Sequence, residues 1–302
     1  MREGCHDAAV PSVPVPERPV LVAPAAFPGR FRAAEVAGRI GRGLERAGLM
    51  PPDLCPVADG GAGTLEALLP ALGGELVGVE VEGADGRPVR AHVALLEDGA
   101  TALVEVVPPS GDPGAASAGA SARVAGELIG AAAATGAAVV VVAAGGAAQG
   151  DDCERAVQAI AEHGGLGGAR LVVLTGARGA SGGGTSGGLA GALAAAHRAV
   201  LEPGGPWILA ALDFDARMRA SRAVVTGEGT LDESTLRGGV VGEIGTRTRQ
   251  GGVPLHAVVG RDALDAFGKR IIDLQVVQEA TTAEELEAAG ERLGLALATG
   301  QA

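Results

Sequence analysis

The sequence predicts an α/β fold: a parallel-sheet domain formed by both chain ends, with a second α/β domain inserted between them. Three observations carry this. Short β-rich runs alternate with amphipathic helical stretches in the first and last thirds. Those runs are rich in Val and Ile without polar alternation, as in sheets covered by helices on both sides. From Gly74 the pattern changes to period-two alternation with Asp-Gly turns. The 302 residues also suit two domains at ~150 residues each.

Residues 1–18 carry Pro11, Pro14 and Pro16 and no periodicity, the pattern of a flexible arm. The run 19–24 then predicts a strand, and 32–48 a helix with Val36, Ile40 and Leu44 on one side. Residues 53–59 predict a second strand, and Thr64 to Leu72 a helix with an apolar side of Leu65, Leu68 and Leu72. Residues 74–107 predict an antiparallel meander with turns at Ala84–Gly86 and Glu97–Gly99. A Gly/Ala/Ser loop over 110–121 precedes a helix to about Ala134, a buried strand over 137–146, a helix over 151–164 that Asp151 and Asp152 begin, and a strand over 169–176. A low-complexity loop over 177–188 leads into an Ala-rich helix to about Ala199. The last third predicts strands over 221–227, 253–260 and 270–277, with helices over 240–250, 262–269 and 283–298. The parallel-sheet domain is therefore expected from residues 19–73 and 220–302, and the inserted domain from 74–219.

Composition excludes several classes. Hydrophobic residues at 47% and charged residues at 20% rule out wholesale disorder. A net charge of −12 would repel a phosphate backbone, and with no Tyr and one Trp few side chains can stack on bases, so nucleic acid is not expected as a partner. Cys5, Cys55 and Cys153 form no CxxC pair, which fits neither a disulfide scaffold nor a zinc site and suits a reducing cytoplasm. The N-terminus lacks the apolar stretch of a signal peptide, and the apolar region 131–148 is broken by Thr135, Gly136, Gly145 and Gly146, so no membrane span is expected. Lys269 is the only lysine.

Two glycine-and-acid segments stand where a strand gives way to a helix. In Ala58-Asp59-Gly60-Gly61-Ala62-Gly63-Thr64, the glycines let backbone N–H groups turn toward an anion at a helix start, and Asp59 can hold Mg²⁺ or accept a hydroxyl proton. The structural alternative is a tight turn with a capping Asp. In residues 226–239, Glu228 and Asp232 can share a metal, while Thr235 and Arg237 can bond phosphate or carboxylate oxygens; the alternative is a capped turn with solvated acids. Parallel sheets bind ligands beyond the carboxyl ends of their strands, so both segments are expected on one crevice. Residues 182–187 satisfy GxGxxG by letter but do not open directly from a strand, and no GxxxxGK[ST] segment exists. His92, His197 and His256 have no companion ligands nearby and read as packing or surface residues, and Asp151 and Asp152 as helix-start charges.

With these residues in view, the chain resembles the bacterial glycerate kinases that combine a flavodoxin-like domain with an inserted restriction-enzyme-like domain. ADGGAGTLEALL (58–69) is similar to that family's Ala-Asp-Gly-Gly-Glu-Gly-Thr segment. VVTGEGTLDESTLRGG (224–239) is similar to its Thr-Gly-Glu-Gly-x-x-Asp-x-Gln-Thr-x-x-Gly-Lys segment. Residues 125–132, 143–152 and 185–193 add supporting matches over a span from Val20 to Leu297. The resemblance implies phosphorylation of D-glycerate, or a similar hydroxy acid, by ATP with Mg²⁺. It implies Asp59, Gly60, Gly61, Gly63 and Thr64 on one wall of the site and Glu228, Gly229, Asp232 and Thr235 on the other. Asp59 or Asp232 is then expected to orient or deprotonate the attacking hydroxyl, with Asp59, Asp232 and Glu228 as candidate metal contacts.

The chain departs from the family where Asp-Ser-Phe-Lys-Gly-Ser becomes Ala25-Ala26-Phe27-Pro28-Gly29-Arg30, where Ala62 and Gly239 replace a glutamate and a lysine, and where Gly150 replaces an asparagine. The inserted part also lacks several dozen residues carrying a Gln-Lys-Gly element. Each lost lysine removes positive charge that phosphoryl transfer uses, at a cost of about 10²–10³ in rate. Arg30 and Arg237 are the candidate replacements, as planar forks rather than point charges. A member that binds a hydroxy acid or nucleotide without turnover is the second expectation, and a nicotinamide-linked enzyme using Gly182–Gly187 the third.

Overall fold

The computed structural model describes residues 18–82, 87–106, 122–145, 153–176 and 188–300. Two sheets organise them. The first holds β1 (Val20–Pro24), β2 (Asp53–Leu54), β9 (Ala223–Gly227), β10 (Leu255–Val259) and β11 (Leu274–Glu279), all parallel, in the order β2-β1-β9-β10-β11. Numbered by their own sequence, this is 2-1-3-4-5, the flavodoxin-like order, and its direction reverses between β1 and β9. The second sheet runs β3 (Gly74–Glu82), β4 (Pro88–Leu96), β5 (Thr101–Glu105), β6 (Val139–Gly145), β7 (Arg170–Thr175) and β8 (Val200–Pro203). Its first three strands are antiparallel and the rest parallel.

Strand alternation divides the core. In the first sheet Val20, Val22, Val225 and Val258 point one way, onto α1 (Ala33–Arg46) and α11 (Ala283–Thr299). Leu21, Ala23, Val224 and Ala257 point the other way, into a cluster that also takes Leu103, Val141 and Leu174 of the second sheet. Helices α2 (Thr64–Leu72) and α6 (Gly204–Ala211) lie between the sheets in that cluster. On the outer side of the second sheet, Val93, Val104, Val140, Val142 and Val173 meet α3 (Ala122–Ala134), α4 (Cys153–Glu162) and α5 (Gly188–His197). Helix α7 (Phe214–Ala220) and α6 both pack against α9 (Val240–Gly251).

The predicted sides of the first two helices agree with the fold: Val36, Ile40 and Leu44 are buried, as is Leu68, with Leu65 and Leu72 packed against the same core. Elsewhere the structure corrects boundaries. The second strand shrinks to Asp53–Leu54, although Cys55 and Val57 N–H still donate to Val22 and Pro24 carbonyls. The helix expected over 262–269 is α10 (Ala266–Ile271), because Asp265 caps it by accepting from Gly268 N–H at 2.7 Å. The strand expected from residue 270 consequently begins at Leu274, after Asp273 turns the chain at φ 54°. Strand β8 and helices α6 and α7 were not legible in the alternation. The expected loop over 110–121, residues 177–187 of the loop expected over 177–188, the turn at residues 84–86, Asp151 and Asp152, and residues 1–17 of the arm expected over 1–18 lie outside the described residues.

Candidate active site

The strand order reverses between β1 and β9, the point where open parallel sheets bind ligands beyond the carboxyl ends of their strands, here beyond Pro24 and Gly227. Three segments follow the ends of β1, β9 and β2. After β1, the chain makes a tight loop in which Phe27 N–H donates to the Phe31 carbonyl (2.8 Å), with the two rings edge to face at 6.4 Å. After β9, Glu228 to Asp232 lead into the short helix α8 (Glu233–Leu236). These loops touch: a Cβ placed on Gly229 would stand 2.9 Å from Cδ of Pro28.

The third segment, Asp59–Gly63, joins the two sheets. Gly60 has φ 90°, and a Cβ there would meet Cα of Gly204 at 2.7 Å, so backbone approaches backbone without a side chain between. Gly60 also accepts from Gly145 N–H at 2.8 Å, fixing the segment to the carboxyl end of β6. Thr64 is fully buried, and its hydroxyl donates to the Gly61 carbonyl at 2.6 Å. The start of α2 is already occupied by a carboxyl group: Glu105, at the end of β5, accepts from Gly63 N–H (3.0 Å) and Leu65 N–H (2.9 Å).

The carboxylates differ in electrostatic state. Burial pushes Glu228 up to about 7, opposed by the hydrogen bond from Thr235 and reinforced by the charges of Asp232 and Asp59. Thr235, itself buried, donates to Oε1 of Glu228 at 2.5 Å and accepts from Asp232 N–H at 3.2 Å. Asp232 is held low instead, chiefly by the Ser234 hydroxyl (2.6 Å) and N–H (2.7 Å) that both bond its Oδ1. Burial raises Asp59, against its own N–H and that of Gly61, and it raises Glu105 too, against the Leu65 and Gly63 N–H groups.

The candidate cations stand further out. Arg237 is exposed and lies 3.7 Å from Glu233, and Arg30 is exposed on the β1–α1 loop. Lys269 pairs with Asp262 at 2.5 Å. Among the described residues no three His, Cys, Asp or Glu side chains gather around a common metal position. Sequence reasoning missed Glu105, whose one signal was a lone acid closing an apolar strand, and missed Gly145, Gly176 and Gly204 as the floor under Asp59.

Comparison with known proteins matches this architecture. The glycerate kinase family model covers residues 20–163 and 168–294. A glycerate kinase of Bacillus subtilis (strain 168) is 38% identical over 94 residues, 30% of this chain and 24% of that protein. A glycerate 2-kinase of Escherichia coli (strain K12) is 35% identical over 96 residues, with the same two coverages. The chain thus matches about a quarter of the length of these relatives. A crystal structure from Salmonella typhimurium LT2, provisionally named glycerate kinase 2, superposes with TM-score 0.73 over 95% of this chain and all of that one, at 23% identity, which bears on the fold. With the family model spanning both sheets and both glycine-and-acid segments, the chain belongs to the glycerate kinase family.

Proposed function

We propose that this protein transfers the γ-phosphoryl group of ATP, taken up with Mg²⁺, to a hydroxyl of D-glycerate or a closely similar hydroxy acid, in the cytoplasm. The observation that carries the reading is the pairing of Glu228 and Asp232 through the buried Thr235 just beyond β9, at the β1/β9 reversal, with burial pushing Glu228 up to about 7. A general base works best when its pKa lies near the operating pH, which favours Glu228 over the Asp59 or Asp232 expected from sequence. Oε1 of Glu228 is held by Thr235. Its other oxygen takes the proton as the substrate hydroxyl attacks phosphorus and the bond to the ADP oxygen breaks. Asp232, ionised and pinned by Ser234, keeps that end of the crevice negative and raises Glu228.

Magnesium would be held by Asp59 and Asp232 without a cage of protein ligands. When bound, it would neutralise charge on the transferring group. Gly60, Gly61, Gly63 and Thr64 support Asp59 rather than cradle phosphate, since the α2 N–H groups are engaged by Glu105. Gly229 lets the β9 loop lie against Pro28, and Arg30 and Arg237 supply positive charge from the rim.

A second reading, ligand binding without turnover, draws on the same Glu105 plug and on Lys269 being committed to Asp262. A coupled assay of ADP release with D-glycerate and Mg²⁺-ATP decides. Turnover lost in Asp59→Asn and Glu228→Gln supports the kinase. An inert parent whose melting temperature rises with glycerate or nucleotide establishes the binding module instead.

A further inference from the structure

The single lysine of the chain is not spent on solvent. Lys269, in α10, places Nζ 2.5 Å from Oδ2 of Asp262, with both side chains roughly three-quarters covered. Asp262 N–H donates to Oε1 of Glu279 at 2.7 Å, and its second carboxylate oxygen is buried with no partner among the described residues. Lys269 is the cation that compensates this carboxylate, and losing it would leave a half-buried charge unpaired.

The loop carrying Asp262 is stitched to the loop carrying the acids of the crevice. Gly260 N–H donates to the Glu228 carbonyl at 3.0 Å, Leu231 N–H to the Arg261 carbonyl at 2.9 Å, and Ala263 N–H to the Leu231 carbonyl at 2.8 Å. Leu231 and Asp262 form a parallel bridge outside the named strands. Residues 228–231 are thus tied by backbone hydrogen bonds to residues 260–263, the loop that carries Asp262.

We propose that Lys269 is a positioning residue: through Asp262 it fixes the loop after β10, and through these backbone hydrogen bonds it sets the register of Glu228 and Asp232 in the crevice. The inference rests on the proposed function only where activity is read. The test compares the full chain with K269M, K269R and D262N by hydrogen–deuterium exchange. Peptides covering 228–236 are expected to exchange at least about tenfold faster in K269M and D262N, with α1 and α3 peptides unchanged and K269R within about twofold of the parent. In parallel, kcat in K269M is expected to fall about 10–100-fold with KM for D-glycerate within about twofold, as for misplaced catalytic groups. Unchanged exchange over 228–236 overturns the proposal, whether or not KM for ATP rises, because Lys269 would then act elsewhere. So does exchange that rises equally in every peptide of both K269M and D262N. A parent without turnover sinks the kinase reading but leaves the exchange result decisive for Lys269.

Discussion

The Thr235 hydroxyl sits between two acids of opposite character, donating to Glu228 across 2.5 Å while accepting from the backbone N–H of Asp232 across 3.2 Å. One buried hydroxyl therefore caps α8 and tunes the carboxyl whose burial pushes it to about 7. Replacing Thr235 by Val removes a donor to the ionised form, so Glu228 must rise further. The acid limb of the pH profile of kcat/KM is expected to move to higher pH, with activity at pH 7 reduced, and stability to fall by about 1 kcal/mol through the lost cap. An unshifted profile would show that Glu228 is not the base.

Glu228→Gln separates catalysis from stability. Turnover is expected to drop about 10²–10⁴-fold, the usual weight of a general base. Stability moves the other way. Because folding raises this carboxyl from 4.5 to about 7, the folded protein holds the proton more tightly, and the parent loses stability as pH climbs between those values. The melting temperature of the variant should exceed that of the parent by a margin that grows from pH 4.5 to 7 and then levels off.

Two glycines of one turn should respond differently to alanine. Gly60 combines φ 90° with a Cβ position 2.7 Å from Gly204, whereas Gly63 has φ 85° and open space. Gly63→Ala is expected to cost about 1 kcal/mol of conformational strain. Gly60→Ala must also separate two backbones at the joint of the sheets, for about 2–4 kcal/mol in all. Urea denaturation of both variants measures the difference.

Glu105→Ala leaves two N–H groups at the start of α2 without their acceptor. A loss of about 1–3 kcal/mol is expected in urea melts, together with lower turnover as the Asp59 turn loosens.

His256, fully buried on β10, has no hydrogen bond to either ring nitrogen among the described residues, and burial lowers its pKa below 6.5. The unfolded chain therefore takes a proton first as pH falls, so stability is complete above 6.5 and is lost on acidification from there toward the folded value. His256→Leu is expected to raise the melting temperature at pH 8, by removing an unsatisfied polar group, and to raise it more at pH 5. Equal gains at both values would refute the titration.

Much of this molecule could be read before it was folded. Val36, Ile40 and Leu44 recur at helical spacing, and runs such as AVVTG are apolar throughout, so local periodicity alone marks these segments for burial. Boundaries were lost where a side chain, not a period, decides them: Asp265 caps α10 and Asp273 turns the chain, against apolar letters that suggested a strand.

By itself, then, the sequence determined the alternation of strands and helices, the family, and the two segments where acids stand among glycines, because these are properties of neighbours along the chain. The tertiary structure decided how each acid is held. Burial pushes Glu228 up to about 7 against a hydroxyl 7 residues away, while a local hydroxyl keeps Asp232 ionised. It also gave the start of α2 to Glu105, 42 residues beyond Gly63. Electric fields and desolvation depend on distance through space, and no pattern of neighbouring letters encodes that distance.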